Sequence, residues 1–272
     1  MRGGLRGWLA PGPVNPPPPD PADDLAEQTL IRTELFIVLW ITLGLSALRS
    51  GLSLLQSLLR PERLPDQHVA INAPAAANPF IDLGLQLAYV LQLLGWGALG
   101  GYLIVRGGMA LRDIGLDGRR PGHDSALAAA LAALIGIPGL GLYLAARAAG
   151  ANLTVLPSTL NDTWWRLPVL ILAAAGNAWA EEVLLTGYLL TRLRQLGYSE
   201  NAGVLGSAAL RGCYHLYQGF GGFVGNLVMG LVFGRVWQRT GRLWALVGAH
   251  LLLDVAAFVG YALLAGKLSW LP

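Results

Sequence analysis

The sequence predicts an all-α polytopic bundle of about seven (six to eight) transmembrane helices. Three observations predict it. Of the 272 residues, 54% are hydrophobic and only 13% charged, against about a quarter charged in an average soluble domain. The apolar residues are gathered into runs close to the ~20 residues that cross the hydrocarbon of a bilayer. Arginines are divided unequally between alternate connections, as they are in multi-pass membrane proteins. Mean hydropathy is +0.51. This composition excludes a disordered chain, a coiled coil and an ordinary soluble enzyme. The net charge is only +3, and no basic cluster is dense enough to follow a phosphate backbone, so no nucleic-acid partner is expected. Cys213 is the single cysteine, which leaves neither a disulfide framework nor a cysteine metal site.

Taken in order, residues 1–33 read as a disordered, Pro-rich cytoplasmic tail. Seven of the 16 prolines fall between Pro11 and Pro21, which favours polyproline II over a packed core. No long apolar run lies there, so no cleavable signal peptide is expected. Residues 34–160 read as the N-terminal transmembrane helices and 161–272 as the helices carrying the chemistry. Apolar runs place spans at 34–59, 80–106, 124–147, 167–190, 202–219, 222–239 and 243–266. Arg49 and Gln56 interrupt the first, and Arg49 reads as a snorkelling or helix-pairing residue. Gly219, Gly221 and Gly222 read as the turn between the fifth and sixth spans. Trp164, Trp165 and Trp270 fall near span ends, where amphipathic rings prefer the interface. Gly225, Gly230 and Gly234 read as points of close helix approach.

Orientation follows from the basic residues. Twelve arginines fall in the tail and in the second-to-third, fourth-to-fifth and sixth-to-seventh connections, while Arg60, Arg63, Arg147, Arg166 and Lys267 fall on the other side. The positive-inside rule places the twelve, and with them the N-terminus, in the cytoplasm. The near-total use of Arg over Lys, with abundant Ala, Gly and Leu, fits a GC-rich bacterial genome, so the expected location is the bacterial inner membrane.

Four charged residues sit inside the last four spans: Glu181, Glu182, Arg211 and Asp254. Each would cost about 2.5–3.5 kcal/mol near the bilayer centre if it faced lipid. They are therefore expected to face the bundle interior, together with His215 and His250. At about 1.5 Å per residue, Glu181 lies roughly 16 Å from Arg192, His250 roughly 12 Å from Arg242, Asp254 roughly 18 Å from Arg242, and His215 roughly 21 Å from Asn201. These depths agree within about two helical turns. Asn177 and Glu181, Arg211 and His215, and His250 and Asp254 are each four apart, hence on shared helix faces. Adjacent Glu181 and Glu182 point about 100° apart, so one can face a reaction centre while the other supports a neighbouring helix.

These residues resemble the CPBP family of intramembrane endopeptidases, also called the CAAX-protease or Abi family. Its Glu-Glu-x-x-x-Arg, Phe-x-x-x-His and His-x-x-x-Asn/Asp helices read here as Glu181-Glu182-Val183-Leu184-Leu185-Thr186, Arg211-Gly212-Cys213-Tyr214-His215 and His250-Leu251-Leu252-Leu253-Asp254. Two positions depart from the pattern. Thr186 stands where the family has Arg, and Arg211 where it has Phe. One span has lost a guanidinium and the next has gained one, so Arg211 is expected to pair with Glu182 or Glu181 from the neighbouring helix.

The resemblance implies a peptidase. Glu181 would be the general base on water, His215 would orient that water, and His250 would stabilise the oxyanion. Glu182 and Arg211 would support the site. Asp254 can donate to an oxyanion only when protonated and otherwise orients His250, with Asn177 and Asn226 as substitute donors. No cofactor is implied. The alternative is a divalent metal such as zinc held by Glu181, His215, His250 and Asp254, although no His-Glu-x-x-His motif is present. The implied substrate is a membrane-anchored or lipidated protein cut near the cytoplasmic face, and the bilayer is the other partner. Two further readings share the buried charges: a proton-coupled transporter, against which no inverted halves are visible, and a catalytically inactive membrane scaffold.

Overall fold

In the computed structural model, which describes residues 19–267, helix formation begins inside the segment expected to be tail. The polyproline run up to Pro18, Arg2, Arg6 and Trp270 lie outside the described residues. Asp24 caps the first helix by accepting from the Glu27 N–H at 2.7 Å, and helix α1 runs Leu25–Leu39. The disordered tail therefore cannot reach residue 33. Glu27, Gln28, Thr29 and Arg32 keep this first stretch from reading as apolar, but their capping and pairing are ordinary for a helix leaving the interface. A π segment at Trp40–Gly44 leads into α2, Leu45–Leu58.

The remaining helices are α3 (Pro79–Arg106), α4 (Pro121–Ala148), α5 (Arg166–Glu181), a π segment over Glu182–Leu189, α6 (Leu190–Gln195), α7 (Glu200–Cys213), α8 (Phe220–Thr240) and α9 (Leu243–Leu264). Among the described residues six helices are long and apolar enough to cross a membrane: Leu25–Leu58, Pro79–Arg106, Pro121–Ala148, Arg166–Gln195, Phe220–Thr240 and Leu243–Leu264. The all-α bundle stands, and the protein is a multi-pass membrane protein.

The fifth expected span, 202–219, is corrected. Its helix stops at Cys213 after 14 residues, about 21 Å, and the rest is a turn. Gly219 ends it at φ +106, where a Cβ would lie 2.7 Å from the Ala151 carbonyl oxygen. Tyr214, His215, Leu216, Tyr217 and Gln218 do not continue the apolar run, and they are held in the turn by backbone bonds from Leu153 N–H to Gln218 O and from Phe220 N–H to Ala151 O. That turn was also where Gly219, Gly221 and Gly222 pointed.

An element with no counterpart in the sequence reading is a two-stranded parallel sheet. Strand β1 (His68–Asn72) pairs with β2 (Thr154–Ser158) in the register His68 to Thr154 and Asn72 to Ser158. The sheet and the Asn152–Gly219 bridge close one end of the bundle over the α7–α8 turn.

The core centres on the chain from α5 to α6. Ala178, Val183, Leu184, Leu185 and Tyr188 are fully buried and share one cluster with Ile104, Phe233, Trp237 and Leu246. Outward, Phe36, Leu91 and Leu205 are exposed, as lipid-facing positions should be. At the arginine-rich end, polar groups are paired. Arg192 Nε donates to Glu34 at 2.9 Å, Arg194 meets Glu200 at 2.9 Å, and Arg235 donates to Asn201 and Gln238. Arg242 bridges Asp117 at 2.9 Å and Asp124 at 2.6 Å. Its hydrogen bond holds the Asp117 carboxyl below the usual carboxylate range.

Candidate active site

The two adjacent glutamates stand at the junction of α5 and the π segment. π geometry is rare and recurs at functional sites. Here it carries Thr186 beneath Glu182, and the Thr186 hydroxyl donates to Glu182 Oε2 at 3.0 Å. Thr186, which stands where the resembled pattern has Arg, thus supplies a hydroxyl to Glu182.

Arg211 arrives from α7 and binds both carboxylates. Its Nη2 donates to Glu182 Oε1 at 2.6 Å and its Nη1 to Glu181 Oε2 at 3.3 Å. The guanidinium is fully buried, and its Cζ lies 5.9 Å from the centre of the Phe233 ring. A planar fork suits two carboxylates presented by one helix. Gly230 on α8 makes room for it, since a Cβ there would meet Ala208 Cα at 2.8 Å and Arg211 Cδ at 3.4 Å.

The glutamates face different surroundings. Glu182 has no exposed surface and is surrounded by Arg211, Thr186 and His250, whose Nδ1 lies 2.8 Å from Oε1. Glu181 lines a cavity of about 1330 Å³ that His215, His250, Asp254, Asn177 and Asn226 also line. Helices α5, α8 and α9 and the turn after α7 thereby bring their polar residues to one space.

Tyr214 is the site residue that sequence reasoning missed. It donates to Glu181 Oε2 at 2.5 Å and lines the same cavity. Helical spacing hid it, because at i+3 from Arg211 it reads as packing beside the motif histidine. Only the end of α7 at Cys213 turns its hydroxyl onto Glu181.

The histidines are held differently. His215 Nδ1 lies 3.0 Å from the Arg211 carbonyl oxygen. A carbonyl only accepts, so Nδ1 carries the proton and Nε2 of the neutral ring is an acceptor. His250 donates from Nδ1 to Glu182, while Nε2 lies 3.6 Å from Asp254 Oδ2, beyond a hydrogen bond. Asp254 is fixed instead by Asn177, whose Nδ2 donates to Oδ2 at 2.9 Å. Donation from His250 Nε2 to an oxyanion requires the ring to carry both protons.

Among the described residues no three His, Cys, Asp or Glu side chains converge as ligands for a metal ion. Arg211 occupies the space between the two glutamates, and Glu182 and His250 are engaged with each other. The arrangement as it stands does not fit a zinc centre built from Glu181, His215, His250 and Asp254.

Residues 163–256, roughly a third of the chain, match the family described as type II CAAX prenyl endopeptidase, Rce1-like. The matched segment contains the Glu181-Glu182, His215 and His250 helices. No curated protein and no solved structure matches the chain.

Proposed function

We propose, from the premise that residues 163–256 form a CPBP-family module, that this membrane protein is an intramembrane endopeptidase using a glutamate-activated water. The observation that carries the reading is the shared cavity: Glu181, His215, His250 and Asp254 line it, while Glu182 and Arg211 stand behind it. A water between Glu181 and His215 Nε2 loses a proton to Glu181 as its oxygen attacks the scissile carbonyl carbon. The carbonyl oxygen becomes an oxyanion and takes a hydrogen bond from doubly protonated His250. Collapse breaks the C–N bond, and Glu181 returns the proton to the leaving amine. Asp254, held by Asn177, orients His250. Tyr214 and Arg211 hold Glu181 in place, and Arg211 does so from the helix after the one that carries the family arginine.

The proposed substrate is a membrane-anchored or lipidated protein cut near the cytoplasmic face; the match to a prenyl endopeptidase family supports its lipidated character. The proposed location is the bacterial inner membrane, with the arginine-rich end inside.

The test compares the membrane proteins of a deletion strain complemented with wild type or with Glu181→Gln. Wild type restores the length of at least one protein, and Glu181→Gln loses cleavage by more than about 100-fold while it remains folded and inserted in the membrane. Chelators leave the rate unchanged. Restoration by Glu181→Gln overturns the peptidase reading, and loss of activity on chelation that zinc reverses overturns the metal-free mechanism.

A further inference from the structure

We propose that the open edge of β1 is a docking strand: an extended stretch of the substrate polypeptide adds beside His68–Asn72 as a third strand of the sheet. The proposal rests on the peptidase reading and adds the form in which the substrate is held.

The two edges of the sheet are not alike. Thr154 N–H donates to the Gln67 carbonyl at 2.9 Å, so in this parallel ladder Gln67, Val69 and Ile71 turn their backbone groups to β2, while His68 and Ala70 turn theirs away. On the far side of β2 the corresponding donors are taken or absent. Val155 N–H donates to the Tyr143 hydroxyl of α4 at 3.1 Å, and Pro157 has no N–H. A covering side chain and an edge proline are devices by which sheets avoid further pairing. The β1 edge carries neither. Outside the ladder to β2, no hydrogen bond engages Ala70 among the described residues.

The open edge belongs to the site. Ala70, Ile71 and Asn72 line the cavity that Glu181 also lines, and unpaired backbone in a membrane protein is tolerated where it lines a cavity. A polypeptide within a bilayer pairs its own peptide groups as a helix, each carbonyl accepting from the N–H four residues on. Attack on a scissile carbonyl requires that carbonyl to be released. Unwinding frees the neighbouring peptide groups as well, and away from bulk water these are costly unless paired. The Ala70 N–H and C=O offer that pairing, and they do so to main chain of any sequence. Helix α3 runs from just beyond β1 to Arg106, so the edge lies at the bundle end away from the arginines. The docked stretch therefore extends from the scissile bond away from the cytoplasmic face.

The experiment uses the full chain in nanodiscs, in the Glu181→Gln background so that binding is read without cleavage. The probe is a fluorescent, N-palmitoylated peptide of about twelve residues, enough for two strands' length, with a non-repeating sequence of Val, Thr and Ala. It is made unmodified and with a single backbone N-methyl group at each position in turn. Each methyl removes one N–H and blocks pairing on one side of a strand. Binding is expected to weaken by about tenfold at alternate positions of the docked stretch and little at those between. Ala70→Pro removes an outward N–H while sparing the ladder to β2. It should weaken the unmodified peptide by a similar factor and erase the alternation. Failure of the unmodified peptide to bind, binding that N-methylation does not weaken, or a loss without alternation each overturns the proposal; binding without alternation marks a site for the lipid chain or for side chains. If Ala70→Pro does not insert, the N-methyl series with the native edge decides alone. Alternation in binding, with no protein changed in length in the strain comparison, keeps the docking strand and overturns the peptidase reading.

Discussion

Arg211 decides how this site holds together. Its guanidinium meets two glutamates in a fully buried place, and removing one partner from such a cluster strands the others as uncompensated charge. Arg211→Ala is expected to destabilise the folded protein by about 3–5 kcal/mol, read as a large fall in melting temperature in detergent. Arg211→Lys keeps the charge but loses the fork, and it should fall between the two. Wild-type melting in Arg211→Ala would mean that the pairing contributes nothing. The motif residues were legible because a charge inside an apolar run needs a reason. Tyr214 was not, since a tyrosine in such a run is ordinary and only its contact with Glu181 gives it a role.

At the scale of elements, the α7–α8 hairpin is the device that carries Arg211 and His215 to the glutamates. It is short on one side and closely packed, and Gly230 and Gly234 face Ala208 and Val204. Gly230→Ala is expected to cost about 1–3 kcal/mol through overpacking and to lower activity by moving Arg211. Gly206→Ala, on the same hairpin but facing open space, should be neutral or slightly stabilising. Equal melting temperatures for the two variants would show that the hairpin is not tightly seated. A hydropathy window could find this region but not its form, since it averages over neighbouring residues whether they lie in a helix or in a turn. The start of α1 was displaced for the converse reason: its first turns are polar, and a polar turn is invisible to a search for apolar runs.

For the whole molecule, the arginine-rich end is also where the ion pairs of Arg192, Arg194 and Arg242 gather, so the asymmetry on which the proposed orientation rests also knits the helices together at that end. In a Cys213→Ser background, Gly118→Cys should react with a membrane-impermeant maleimide only after the cells are opened. Ala77→Cys, beyond β1, should react on intact cells with the outer membrane permeabilised. The reverse pattern would invert the proposed topology. Both positions are exposed, so failure to fold is not the expected confounder.

By itself the sequence determined that the chain lives in a membrane, that its helices alternate across it, and which charged side chains had to turn inward. Those conclusions follow from transfer free energies and helical periodicity, which act residue by residue. The tertiary structure decided which glutamate faces the cavity, that Arg211 bridges both, that Tyr214 joins them, and that α7 stops short at a glycine-closed turn. These depend on the mutual approach of helices distant in sequence, where a missing Cβ or a backbone bond across a turn sets the geometry and no local pattern records it.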